Sequence, residues 1–416
     1  MADERLHKNV KISGWGSLLT DMSTEMIMPV LPTFIVAVLK APVTALGLIE
    51  GIAESTASLL KLASGYISDR IGKRKPLIIL GYSFSALVKP LLALATGWIF
   101  VLAIRFFDRV GKGIRTSPRD ALIADSSGKK KGKPFGFQRF MDTTGAATGS
   151  LIAFIILRHF NASINSYRLI FLISFIPALA AVIVLLGLKE IARTNNPDNK
   201  SSIQKPSFKT LPRRFKYFLI VSFIFTLSNF SYAFYLIRAK SAGIADWTLP
   251  LLYLINTVSY ALFAYPSGIA SDRLGARNLL GTGYLVYLMT ALMFAFIDLS
   301  WFPFLGFVLY GLYQALVDTN SRIVVAELSD EETRGTAYGA YHTAVGIAAL
   351  PSSLFAGIIW QKLGGKASFV YGAILSLIAL VMLITISKEK SQKKIATLGE
   401  LEGKNELQGD QSPTRE

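Results

Sequence analysis

Gly65-Tyr66-Ile67-Ser68-Asp69-Arg70-Ile71-Gly72 recurs 203 residues later as Gly268-Ile269-Ala270-Ser271-Asp272-Arg273-Leu274-Gly275. At the same offset Phe135-Gly136 matches Tyr338-Gly339, and Arg119 matches Arg322. Three separate matches at one spacing indicate a duplicated unit.

The segments around the repeat are apolar. Over the 416 residues, 52% are hydrophobic, only 17% are charged, and the mean hydropathy is +0.44. A soluble domain carries about a quarter charged residues, so the chain falls in the membrane class. A helix needs about 20 residues to cross the hydrocarbon core. That length predicts twelve spans, near 15–39, 44–68, 76–96, 99–124, 135–158, 167–188, 215–238, 247–270, 278–298, 301–326, 337–360 and 367–387. The expected fold is an all-α integral membrane protein, with twelve transmembrane helices in two parallel six-helix repeats. Parallel repeats are related by an axis along the membrane normal and place a solute site between them. The first apolar stretch, from Trp15, is too long for a cleaved signal and contains acids, so it is read as a span. With no cysteine, disulfides, thiolate metal sites and a cysteine nucleophile are excluded.

The net charge of +17 raises nucleic acid as a partner, but the distribution argues for membrane topology instead. With span-edge residues assigned to the connections, 28 of the 44 Lys and Arg fall in the termini and even-numbered connections, and seven in the odd-numbered ones. The positive-inside rule puts the richer, basic face and both termini in the cytoplasm. A bacterial cytoplasmic membrane is the expected residence. The expected organisation is a six-helix bundle over 1–190, a polar cytoplasmic linker over 191–213, a second bundle over 214–388 and a disordered tail over 389–416.

The segment Gly65-Tyr-Ile-Ser-Asp69-Arg70-Ile-Gly72-Lys73-Arg74-Lys75 resembles the signature loop between the second and third helices of the major facilitator superfamily. The second copy keeps Gly268, Asp272, Arg273 and Gly275 but has Ala276-Arg277 in place of the basic pair. The resemblance covers essentially the whole chain and implies a secondary transporter. It implies a conformational gate at Gly65, Asp69, Arg70, Gly72 and Arg74, with Gly268, Asp272, Arg273 and Gly275 as the second copy. Physically, the glycines permit close helix approach and a tight turn. Asp69 can accept from a helix amino terminus or pair with an arginine, a contact made in one conformation and broken in the other. The basic residues also fit a purely topological role. Drug exporters of the superfamily usually carry Gly-Pro in the fifth helix; here Gly145 and Gly149 occur with no proline, which argues against that assignment.

The fourth span is unusual: Arg105-Phe-Phe-Asp108-Arg109-Val-Gly-Lys112-Gly-Ile-Arg115-Thr-Ser-Pro-Arg119-Asp120. Either the helix ends near Val110, or it continues to Asp125, as the repeat favours. Continuation puts Arg105, Asp108, Arg109, Lys112, Arg115 and Arg119 on one stripe of roughly 120°. A charge at bilayer depth costs about 2.5–3.5 kcal/mol, so the stripe must face a wet cavity or other helices. One reading makes Arg105, Asp108, Arg109 and Lys112 ligands of an anionic solute, with Asn229 and Asn256 contributing from the second half. The other reading is internal ion pairing, because the first half sets seven acids against eight bases within or beside its spans.

Asp21 and Glu25 share a face of the first helix, and Glu50 and Glu54 repeat that spacing on the second. Intramembrane acids often form proton relays, so these four are the candidate proton-coupling residues. Pro29 and Pro32 are expected to open the first helix near midspan. The second-half equivalents are Ile224, Ser228, Tyr253 and Thr257, so coupling is assigned to the first half. The sequence shows no metalloprotease, hydrolase or nucleotide-binding fingerprint, and no catalytic residues, metal or cofactor are expected. The expected partners are a small solute, protons and membrane lipid, with the chain a monomer. An uncoupled facilitator, an exporter and a non-transporting membrane receptor or scaffold are the competing functions.

Overall fold

The computed structural model describes residues 6–126, 132–191, 211–329 and 334–385, except for the side chains at 62, 69, 132, 133 and 334–336. Most of the expected linker and all of the expected tail lie outside these residues. Ten helical segments are long and apolar enough to cross a membrane. In chain order they are α1 (Lys8–Val38), α2 (Val43–Ile71), α3 (Lys75–Leu94), α5 (Gly132–His159), α6 (Ile164–Leu186), α7 (Arg213–Ser241), α8 (Leu249–Leu274), α9 (Ala276–Phe296), α11 (Arg334–Leu363) and α12 (Gly365–Thr385). Two further helices, α4 (Trp98–Asp125), which carries the charged stripe, and α10 (Phe302–Glu327), have the length to cross. They are the expected fourth and tenth spans.

α4 runs through Gly111, Gly113 and Pro118 to Asp125. Its glycines serve packing. A Cβ on Gly111 would stand 2.7 Å from the Gly81 carbonyl of α3, and one on Gly81 would stand 2.6 Å from the Gly111 carbonyl. This pair lets two backbones touch where a charged helix must be buried among others. On α5, Cβ atoms at Gly145 and Gly149 would collide with the Leu18 and Met22 carbonyls of α1.

α1 and α7 are both interrupted, at residues 28–30 and 229–231, close to one repeat length apart. In α1 the helix stops at Ile27 and resumes at Leu31. Pro29 and Pro32 have no N–H, so the carbonyls four residues earlier, of Glu25 and Met28, lose their helical donors. Hydroxyls replace them: Ser150 on α5 donates to the Glu25 carbonyl at 3.5 Å, and Tyr232 on α7 donates to that of Met28 at 3.1 Å. α7 breaks between Ser228 and Tyr232 without a proline. There the Ser228 carbonyl accepts from Tyr287, and Ser231 caps the restarted helix by accepting from the Ala233 N–H.

One apolar core lies almost wholly in α7–α12, from Phe215 through Tyr287 to Phe369. Two others lie mainly in α1–α6, around Leu31, Ile104 and Phe171, joined by Ala233 and Ile237 of α7, and around Tyr82, Leu122 and Leu185. The halves meet chiefly along α2 and α11. Cβ atoms at Gly51 and Gly357 would stand 2.9 Å and 3.0 Å from Leu350 and Thr44, and one at Gly47 would overlap the Ser353 carbonyl. Toward the face opposite the basic one, Val43 N–H donates to Gln361, Tyr167 donates to Asp246, and Trp247 packs against Phe154 and Arg158.

On that same face Asp298, in the turn between α9 and α10, joins Lys366 at the start of α12 to Arg238 of α7. Their hydrogen bonds, that of Lys366 first, hold its carboxyl below the ordinary value of 3.8. A lowered folded pKa means the contribution is complete above the unfolded pKa and is lost as pH falls through the folded one. The melting temperature of Asp298→Asn should trail that of the parent by a constant amount from pH 8 to about pH 5. At more acid pH the two should converge.

Candidate functional site

The charged stripe of α4 faces inward. Arg105, Asp108, Arg109 and Arg115 are buried, whereas Phe106 and Phe107 are exposed on the other side. Arg105 bonds Glu50 of α2 at 3.0 Å and lies 3.7 Å from Asp108. Arg109 lies 3.7 Å from Asp108 and contacts the Met28 sulfur. Asp108 also accepts from Ser85 of α3. Lys89 of α3 is 2% exposed and donates to Thr24 at 2.8 Å and Ser23 at 3.2 Å on α1. A small cavity between α1, α3 and α4 is lined by Thr24, Met28, Lys89, Arg105 and Asp108. Farther along α4, Arg115 lies over Tyr82, and Arg119 pairs with Asp120 at 2.9 Å and donates to Ser17.

The second half reaches this network at the α7 break. Glu50 accepts from Arg105 with one oxygen and from the Ser231 hydroxyl with the other, at 3.1 Å. Glu50 therefore touches both halves at once. Asn229 accepts from Tyr313 at 2.7 Å and so is engaged within its own half. Asn256 is buried against α10, where Gly311 lies against its carbonyl, and its side-chain oxygen has no partner among the described residues.

Toward the basic face the interior opens. Glu54 of α2, Arg139 of α5, Asp318 and Arg322 of α10 and His342 of α11 are exposed, and Lys61, Lys112, Tyr253, Tyr260 and Tyr341 are half-buried. These residues belong to one field: Glu54, Lys61, Arg139 and Arg322 all act on Asp318, and Lys61 and Arg322 act on His342. Asp21 faces Asp142, Lys112 and Arg119, and Glu25 stands beside Tyr253 with Lys112, Arg109 and Lys89 around it. The Oε2 atom of Glu25 has no hydrogen-bond partner among the described residues. The ion pairs among the described residues engage Arg74, Arg105, Arg109 and Arg119 on this side, but not Lys61, Lys112, Arg139 or Arg322.

The repeated loops cap their helices on the basic face. Gly72 and Gly275 end α2 and α8 with φ of +71° and +84°, which L side chains rarely adopt. Gly65 comes close to α4 at Ser117, and Gly268 makes ordinary contact with Thr319. The Asp69 side chain lies outside the described residues, and Arg70, Asp272 and Arg273 are exposed. Arg74 is 4% exposed and pairs with Asp125 at the end of α4, at 3.1 Å. The amino terminus of α3 is capped by Glu190, which accepts from the N–H groups of Arg74 at 2.8 Å and Lys75 at 3.0 Å. In the second copy Glu327 at the end of α10 acts on Arg277, but the two form no ion pair among the described residues. Sequence reasoning alone does not single out Asp125, Glu190, Ser231, Tyr232 or Arg139 as site residues. Tyr232 carries a detectable signal, since it lies one repeat length beyond Pro29.

A profile of the Major Facilitator Superfamily matches residues 14–257 and 239–409. An MFS-type transporter of Methanocaldococcus jannaschii is 38% identical over 390 residues, covering 92% of this chain and 96% of the relative. Among solved structures, the nucleoside transporter NupG superposes with a TM-score of 0.75 at 14% identity, covering 92% of this chain and 99% of that one. A D-xylose-proton symporter superposes with a TM-score of 0.71 at 18% identity, covering 90% and 96%. With its twelve helices, duplicated loop and inward-facing charged helix, the chain belongs to the Major Facilitator Superfamily.

Proposed function

We propose that this protein is a proton-coupled secondary transporter that moves a small anionic solute by alternating access. The single observation carrying this reading is that four bases border the open interior and belong to none of the ion pairs among the described residues. Lys61, Lys112, Arg139 and Arg322 face Glu54 and Asp318 there. An uncompensated base at bilayer depth is costly unless water or an anion attends it. The solute's charge sits among these bases, while Arg105, Asp108 and Arg109 form the polar floor behind it. Asn229 and Asn256 shape the opposite wall through the helices they pack.

Protons are carried by Asp21, Glu25 and Glu54, the acids that border the opening. Glu50, bonded to both halves, registers which conformation is present. The glycines of the two loops, with Asp69, Arg70, Arg74, Asp272 and Arg273, form the gate on the basic face, which is the cytoplasmic one. The chain works as a monomer in a bacterial cytoplasmic membrane.

Proteoliposomes with an imposed pH gradient test the coupling. Uptake of the anion should follow the gradient and collapse with a protonophore, and Glu25→Gln should reduce gradient-driven accumulation at least about ten-fold while counterflow exchange persists. Accumulation insensitive to the protonophore would leave an uncoupled facilitator.

A further inference from the structure

The base placed best to read a solute is Arg139 on α5. Its guanidinium carbon lies 4.6 Å from the centroid of the Tyr260 ring on α8, in the other half. A guanidinium lying on an aromatic face is held in a fixed plane, with its N–H edge free for a carboxylate. Arg139 is exposed in the opening and belongs to none of the ion pairs among the described residues. It is therefore positioned by Tyr260 and, unlike Arg105 and Arg109, has no carboxylate within ion-pair distance among the described residues.

The wall around it is aromatic. Tyr253 and Tyr260 are seven residues apart on α8, which puts them on one face about 10.5 Å apart along the axis. Tyr232 meets Tyr253 edge-on at 5.0 Å, and Tyr341 stacks on Phe218 at 6.2 Å with His342 at 5.4 Å. Tyr232, Tyr253, Tyr260 and Tyr341 are each half-buried, so part of each ring borders open space. The first half thus offers Lys112 and Arg139 to the opening, and the second half offers the rings beside Asp318 and Arg322. A sugar or a small aliphatic acid uses only one of these surfaces; a planar acid uses both.

We propose that the solute is an arene carboxylate, its carboxylate on the edge of Arg139 and its ring against the Tyr253–Tyr260 face of α8. This rests on the anionic reading above. The ring preference comes from edge-to-face and stacked contacts, which favour an arene over a saturated ring of similar size.

The test is calorimetric binding to the full chain in detergent, with benzoate, cyclohexanecarboxylate, acetate and benzyl alcohol as probes. Benzoate should bind about ten-fold more tightly than cyclohexanecarboxylate. Tyr260→Leu should erase that preference, and Tyr260→Phe, which keeps the ring, should retain it. Arg139→Gln should weaken benzoate and cyclohexanecarboxylate alike. Melting curves of each variant report whether it is folded, and the probe comparison on the parent protein stands without them. Equal binding of benzoate and cyclohexanecarboxylate overturns the arene assignment and leaves the anionic one intact. Benzyl alcohol binding as tightly as benzoate, or no acid binding at all, overturns both.

Discussion

Arg105→Gln is expected to destabilise the protein by about 3–5 kcal/mol, because it strips a buried carboxylate of its cation. Glu50 is 7% exposed, and Arg105, at 3% exposed, is its cationic partner at 3.0 Å. The remaining donor to Glu50 is the Ser231 hydroxyl from the opposite half, which cannot offset a full charge. The double variant Glu50→Gln, Arg105→Gln removes both charges and should recover most of the loss. Chemical or thermal unfolding of the four proteins in this cycle yields the coupling directly. A coupling near zero would mean that the pair is solvated in the membrane and carries no structural load.

The second large effect is expected at Gly47→Leu. A side chain there must enter the space held by the Ser353 carbonyl of α11, so α2 and α11 cannot approach as they do here. Each half keeps most of its own core, and α2 packs on α4 apart from α11, with Leu60 against Gly113 and the Ser64 hydroxyl on the Gly113 carbonyl. The variant should therefore fold, transport at less than about 1% of the parental rate, and remain open on the face away from the basic one. A cysteine-reactive probe on an introduced Val43→Cys would report that opening, as the natural chain contains no cysteine to compete. Normal transport by Gly47→Leu would mean that α2 and α11 separate without this contact.

The architecture was legible because membrane solvation leaves few options for backbone polar groups. Apolar length and the repeated loop marked the twelve helices, and the repeat favoured carrying α4 past two glycines and a proline. The break in α1 was legible from Pro29 and Pro32. The break in α7 was not, because no proline causes it; serine and tyrosine side chains take over the backbone bonds there. The pairing of the α4 stripe was legible only as a choice. Helical periodicity places Arg105 and Arg109 on one face but does not say whether Glu50 or Glu54 of α2 pairs with Arg105 or with Lys89. Glu190 was invisible for a related reason: it caps a helix more than one hundred residues away in sequence.

The hydroxyl of Tyr232 on the carbonyl of Met28 also bears on how the protein opens. The proline that orphaned this carbonyl is in one half and the replacement donor is in the other. Separating the halves at this point leaves a backbone acceptor bare in the middle of the membrane, where lipid has nothing to donate. Only water or a solute hydroxyl can take its place. The protein can therefore not part along this seam as two dry surfaces; hydration of the break is a step of the motion, and agents that slow water entry should slow the conformational change itself.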